Sequence, residues 1–472
     1  MFMKTGDQVR PFGLRDKLGY LFGDFGNDFT FLLSSSFLLK FYTDVMGVPA
    51  AVVGVIMMIA RFVDAFTDVT MGRICDRSRV TPAGKFKPWI RRMCAPVAIA
   101  SFLIYQSGLA GMPMTFKIGY LFVTYILWGS IFYTSINIPY GSMASAVSAE
   151  PGHRQSLSTF RSVGAALAGL LVGAGVPVLA YDYVGENPVI NGGRFTLIAG
   201  VFSVLAVGCY LLCYVMTTER VKVETQESHR QSNSVFVMFR NALRNRALIS
   251  IIAASVVMLL AQLTMQSMGN YVYPNYYKDT GAQAASTVLM TGGMLLAAGL
   301  AGPLARRFGK AEISAVANLI AAAVCFTLFL IRPENVWVYV AFQTICFLGL
   351  GMFTMVSWAL ITDVIDYSEL KNGIREDGSV YALYSFARKL GQAASAGLSG
   401  ALLTIIGYTE SNAFEEPIVN GIFNISTLVP AIGFALLAIV LWFWYPLHKR
   451  QVEANVDMLK EKRKEQLRDG VK

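Results

Sequence analysis

The chain has 472 residues, 54% of them hydrophobic and only 15% charged, where soluble domains carry roughly 25% charged residues. With a mean hydropathy of +0.50 and apolar runs of bilayer-spanning length throughout, it reads as a polytopic helical membrane protein with little room for a soluble domain. The runs are continuous rather than alternating, which excludes a β-barrel, and the net charge of +10 is explained by where the basic residues fall, with no need for a nucleic-acid partner.

Residues 1–17 form a polar, basic tail without the short apolar core and small-residue cleavage site of a secretory signal. Six apolar segments follow, at about 18–44, 48–75, 88–110, 117–146, 158–182 and 194–217. After the polar stretch TTERVKVETQESHRQSNS come six more, at about 247–275, 284–305, 311–331, 336–365, 380–407 and 421–446. The expected organisation is therefore a tail (1–17), a six-helix bundle (18–217), a linker (218–246), a second six-helix bundle (247–446) and a basic tail (447–472). Such all-α duplication of six-helix halves is a common transporter plan. Lysine and arginine crowd the 2–3, 8–9 and 10–11 loops, the linker and both tails, and thin out in the opposite loops. By the positive-inside rule both termini and the linker are cytoplasmic. The six cysteines form no CxxC pair and read as small core residues.

A charge at the middle of a membrane helix costs about 2.5–3.5 kcal/mol, so each one calls for a partner or a function. In helix 1, GYLFGDFGNDFTF places Asp24 and Asp28 four residues apart with Asn27 alongside. Asp28 is the deeper carboxylate and can accept two sugar hydroxyls. Asp24 lies closer to the helix end. Gly19, Gly23 and Gly26 allow close helix contact. Helix 2 contains ARFVDAFTDV. Asp64 and Asp68 stack on one face, with Arg61 one turn earlier and Thr67 beside them. Two carboxylates this close repel, and a bound Na⁺ or H⁺ relieves the repulsion. The pair is the expected cation site, with Na⁺ as the metal if sodium is used. The 2–3 loop, GRICDRSRVTPAGKFKPW, is echoed by GPLARRFGK in the second half.

Helix 4 reads YILWGSIFYTSINIPYGSMA. Tyr133, Asn137 and Gly141 share a face, Thr134 lies one turn before Asn137, and the Asn-Ile-Pro lets the helix bend. Arg161, a turn inside helix 5, can fork onto ligand hydroxyls or Asp28. In helix 10, Trp358 precedes an acidic run of Asp363, Asp366 and Glu369 that approaches the cytoplasm and, with Arg375, reads as a gate. Lys389, about ten residues into helix 11, is expected to answer the acidic cluster of helix 2.

These motifs carry a resemblance. GYLFGDFGND, FYTDVMG, ARFVDAFTD, GKFKPW, NIPY and DVIDYSELKNGIREDG, in this order over nearly the whole chain, are similar to the patterns of the glycoside–pentoside–hexuronide:cation symporters, the family of the melibiose permease. The Gly-x-x-x-Asp-Arg…Gly-Lys loop resembles the signature of the major facilitator superfamily, a charged latch on the cytoplasmic side. The resemblance implies a major facilitator fold, twelve transmembrane helices in two pseudo-symmetric bundles, and a monomer. It implies cation binding by Asp64, Asp68, Thr67 and Thr134, sugar binding by Asp28 and Arg161 with Trp358 as an aromatic wall, and coupling through Lys389; the residues themselves add Asn27, Tyr133 and Asn137 to the expected sugar site and Arg61 to the coupling charges. The chain departs from the melibiose permease where that protein has Lys (here Asn27), Asn (here Thr67), Asp (here Asn137) and Trp (here Gly141). The less acidic, more open pocket suits a larger glycoside or an anionic sugar such as a hexuronide.

The function expected is symport of a sugar or glycoside with Na⁺ or H⁺ across the cytoplasmic membrane by alternating access, with no cofactor beyond the coupling cation. A symporter of a non-sugar amphiphile such as a lysolipid would want a more apolar cavity. An intramembrane aspartyl protease would need two aspartates on different helices in YD and GxGD contexts, and no GxGD occurs.

Overall fold

The computed structural model describes residues 10–221, 245–372 and 377–469. Most of the expected linker and the gating candidate Arg375 lie outside them. Contacts divide the chain into two units, Met1–Ser228 and His229–Lys472. Among the described residues the first unit holds six long helices: α1 (Leu14–Asp44), α2 (Ala50–Arg77), α3 (Lys87–Ile104), α4 (Met114–Val147), α5 (Pro151–Leu179) and α6 (Gly192–Met216). A short antiparallel hairpin, Tyr181–Val184 with Asn187–Ile190, joins α5 to α6. The second unit holds α7 (Arg246–Tyr276), α8 (Thr280–Phe308), α9 (Lys310–Ile331), α10 (Val336–Asn372), α11 (Asp377–Ile405) and α12 (Glu416–Trp444), followed by α13 (Lys449–Asp469). Nine of these helices are long and apolar enough to span a membrane by length and composition. The remaining helices, α1, α3, α11 and α13, carry the polar and charged side chains that lower their hydropathy.

In the first unit α1 packs along α5 and α6, and α2 along α4. The glycines of α1 permit this: a Cβ at Gly19 would lie 2.7 Å from Met216, and one at Gly23 would collide with the Tyr140 ring. The rings of Tyr20 and Tyr140 stack with centroids 4.6 Å apart, and each hydroxyl donates to the other residue's carbonyl. At the far end of α1, Lys40 and Asp44 pair at 2.6 Å. In the second unit α10 packs between α8 and α9, and α7 against α11 and α12.

The 2–3 loop has a definite partner. Glu219, just beyond α6, accepts the backbone N–H groups of Lys85, Phe86 and Lys87 at 2.7, 2.9 and 2.7 Å. A carboxylate at the start of α3 is stabilised by those donors and by the helix dipole. Nearby Asp16, fully buried, pairs with Arg10 and Arg220 at 2.8 Å each. Gly84 has φ +115°, and a Cβ there would stand 2.4 Å from the Glu219 carboxyl carbon. Gly84→Ala therefore meets both backbone strain and the clasp, and is expected to cost about 1–3 kcal/mol, read as a lowered Tm of the purified protein. The second copy of the loop uses the same chemistry differently. Lys310 pairs with Asp363 at 2.6 Å, and Glu312 accepts the Lys449 N–H at the start of α13 at 2.8 Å.

α4 departs from the sequence expectation in one respect. Besides the bend that Asn137-Ile138-Pro139 permits, with Pro139 inside the helix, there is a second irregularity. The break in regularity is a π-helical turn at Leu127–Tyr133. Such turns absorb an extra residue and re-aim the side chains around it.

Candidate functional site

α2 and α4 face each other through a double row of oxygens. Asp64 and Asp68 are four residues apart on α2, and Ser130 and Thr134 are four apart on α4. The Ser130 hydroxyl donates to Asp64 Oδ1 at 2.5 Å, and the Thr134 hydroxyl lies 2.8 Å from Asp68 Oδ1. Thr134 Oγ1 is also 3.2 Å from the Gly129 carbonyl oxygen. The other Asp64 oxygen pairs with Arg61 Nη1 at 3.3 Å, and both side chains are largely buried. The Arg61 guanidinium sits 5.0 Å from the Phe31 ring centroid, and Phe31 stacks on Tyr133 at 5.6 Å. Arg61, Asp64 and Asp68 thus share the neighbourhood that their spacing suggested, and Thr134 meets them from α4. The Thr67 hydroxyl donates to the Asp64 backbone carbonyl at 3.2 Å, which leaves its oxygen lone pairs free. Ser130 was missed. Its signal was its distance of four residues from Thr134, which matches the spacing of the two aspartates.

A second polar group lies between α1, α4, α5 and α6. Arg161 Nε donates to Asp24 Oδ1 at 2.9 Å, and the guanidinium lies 5.3 Å from the Tyr140 ring centroid. The sequence leaves Arg161 to ligand hydroxyls or Asp28 and gives Asp24 a lesser place nearer the helix end. In the structure Asp24 is 6% exposed, and α5 packed on α1 brings Arg161 to Asp24 instead. Asp28 is half-buried and makes no hydrogen bond or ion pair among the described residues. Asn27, expected as a sugar contact, is 1% exposed. It accepts the Tyr210 hydroxyl at 2.9 Å and donates to Asn137 Oδ1 at 3.5 Å, so it is a tie between helices rather than an open surface. Its position beside Gly26, where α1 lies on α6, explains that burial. Beside Arg161 there is room: a Cβ at Gly141 would meet nothing nearer than Arg161 Nη1, at 3.9 Å.

The remaining candidates lie in the second unit. Trp358 on α10 is 46% exposed and stacks on Tyr381 of α11 at 5.8 Å. Lys389 is half-buried on α11. Asp363 is buried and held by Lys310, and Asp366, one turn on, is half-buried.

The family described as MFS/sugar transport protein matches residues 19–449. The chain belongs to this family. It is a multi-pass membrane transporter and not an enzyme, and the resemblance seen in its helix 1, 2 and 4 motifs is borne out. The uncharacterized symporter YjmB of Bacillus subtilis is 31% identical over 95% of this chain and 96% of its own length. A glucuronide carrier protein homolog of Escherichia coli is 29% identical over 96% of each chain. Among solved structures, a D-xylose-proton symporter superimposes with a TM-score of 0.62 at 16% identity, covering 92% of this chain and 97% of its own. That likeness, with the helical architecture, establishes the major facilitator fold.

Proposed function

We propose that this transporter is a symporter that couples uptake of a sugar or glycoside to the entry of one cation, Na⁺ or H⁺, across the cytoplasmic membrane. It works by alternating access, as a monomer with both termini inside the cell. The observation that carries this reading is the pair of α2 carboxylates, each hydrogen-bonded by an α4 hydroxyl. Two half-buried acids four residues apart on one helix face repel each other, and a monovalent cation relieves that repulsion.

The cation then fixes α2 against α4, and α4 reaches the sugar side of the unit. Tyr133 stacks on Phe31 of α1, and Asn137 is tied to Asn27 of α1. Asp28, two helical turns deeper than Tyr20, supplies the unpartnered acceptor for sugar hydroxyls. Arg161 presents its outer N–H groups beside the space at Gly141, and Trp358 offers a flat apolar face to the sugar ring. Lys389 and Arg61 balance the acids as the cation comes and goes. Asp363 and Asp366, with Lys310, belong to a gate, as does Arg375. Binding of the two ligands is reciprocal: the cation tightens sugar binding and sugar tightens cation binding by the same factor.

The test is uptake by the purified protein in vesicles, with Na⁺ and pH gradients imposed separately and a panel holding a glucuronide and neutral pentosides and hexosides. One gradient should drive accumulation of at least one sugar, and Asp28→Asn should abolish it. Accumulation that ignores both gradients would rule out symport; normal uptake by Asp28→Asn would remove Asp28 from the sugar site.

A further inference from the structure

The α4 side of the carboxylate pair offers more oxygen than a proton requires. A proton needs one carboxylate lone pair. An alkali cation is a hard ion and is held by several oxygens at once, with carboxylate, hydroxyl and carbonyl ligands suited to it. Ser130 is 2% exposed and Thr134 is 3% exposed, and both hydroxyls lie on the carboxylates, with the Gly129 carbonyl 3.2 Å from Thr134 Oγ1. Gly129 has no side chain to intervene: a Cβ there would already stand 3.6 and 3.9 Å from the two Asp64 oxygens.

The π-helical turn is what assembles this set. Ser130 lies within Leu127–Tyr133 and Thr134 immediately after it. A hydrogen-bonding pattern of i→i+5 rotates the side chains of that turn relative to an uninterrupted α-helix. Without it, Ser130 and the Gly129 carbonyl would not meet α2 in their present register.

An independent observation points to a polar guest at the same turn. Tyr125 and Trp128 are buried, each 1% exposed; the Trp128 indole N–H has no hydrogen-bond partner among the described residues, whereas the Tyr125 hydroxyl lies by Ser34 and Arg61. Tyr125 stands beside Arg61 and Asp64. A buried donor without a partner costs about 1–3 kcal/mol, and a water carried in by an ion supplies the accepting oxygen that the indole N–H lacks.

We propose that Ser130 is a further ligand of the coupling cation, and that the π-helical turn of α4 shapes the site for sodium or lithium. This rests on the reading of Asp64 and Asp68 as the coupling site. As the ion enters, the Ser130 hydroxyl proton turns away from Asp64, and both oxygens direct lone pairs at the cation. Arg61 keeps its contact with the second Asp64 oxygen.

The experiment is calorimetric titration of NaCl and LiCl into the purified full-length protein in lipid nanodiscs, in choline chloride at fixed pH and without sugar. The wild type should bind one ion per chain. Ser130→Ala should weaken binding about tenfold or more, and Ser130→Thr, which keeps the hydroxyl, should bind but change the lithium-to-sodium ratio. Wild-type affinity in Ser130→Ala overturns the inference. If Asp68→Asn loses binding in the same series, the coupling site itself still stands; if Asp68→Asn also binds as the wild type does, that reading falls with it. A wild type that binds neither ion overturns the inference, and the proton-gradient assay then decides the site alone. Should Ser130→Ala not yield monodisperse protein, an unchanged lithium-to-sodium ratio in Ser130→Thr is the overturning result.

Discussion

Asp68→Asn is expected to lower cation-stimulated sugar uptake by about a hundredfold or more, while the Tm of the purified protein stays within a few degrees of wild type. Asp68 meets the Thr134 hydroxyl, and an amide oxygen can accept that hydrogen bond. The change removes the negative charge, which on the proposed reading holds the cation. Asp64→Asn should abolish coupling equally but behave differently in stability. Asp64 is the partner of Arg61, and the two side chains are only 13% and 14% exposed. Removing one member of a largely buried pair leaves the other uncompensated, at a cost of about 3 kcal/mol. The discriminating variant is the double change Arg61→Gln with Asp64→Asn. It should recover most of the Tm lost by Asp64→Asn and none of the coupling. Thermal unfolding in detergent and gradient-driven uptake, measured on the same preparations, check both halves. A double variant no more stable than Asp64→Asn alone would show that Arg61 draws little from Asp64.

The parts of this site that were legible in the sequence are those governed by helical spacing. Asp64 and Asp68 share a face because residues four apart must do so, and Arg61 falls to the same face one turn earlier. Twelve apolar segments gave twelve helices for the same reason, since bilayer thickness sets their length. What periodicity cannot carry is an insertion. The π-helical turn changes the register of α4 by local hydrogen bonding, and nothing in LWGSIFY distinguishes it from an α-helix by composition. That is why Ser130 went unread. The clasp at Glu219 was hidden for a different reason. Its three donors and its carboxylate are over 130 residues apart in the chain, and only the packing of α3 on α6 brings them together. The same holds for Arg161, whose choice of Asp24 over Asp28 depends on how α5 lies against α1.

That choice leads to the second large effect. Arg161→Gln is expected to raise the KM for sugar about a hundredfold, because it removes the charged donor beside the open space at Gly141. Asp24→Asn should raise KM for a neutral glycoside about tenfold with a smaller change in maximal rate, since it releases the guanidinium from the 2.9 Å contact that aims it. Its effect on Tm should be small, about 1 kcal/mol or less of stability, because the Arg161 side chain is 40% exposed and screened by solvent. If Asp24 acts through Arg161, the effects do not add: Asp24→Asn combined with Arg161→Gln should be no worse than Arg161→Gln alone. The charge of the sugar supplies a further check. Asp24 holds a negative charge against the very group that would meet an acid. Removing it should therefore penalise a glucuronide less than a neutral glycoside of similar size, and the two KM ratios, measured in one competition assay, should differ in that order. Equal ratios would place the acid group of a glucuronide away from Arg161, and additive losses in the double variant would give Asp24 a sugar contact of its own.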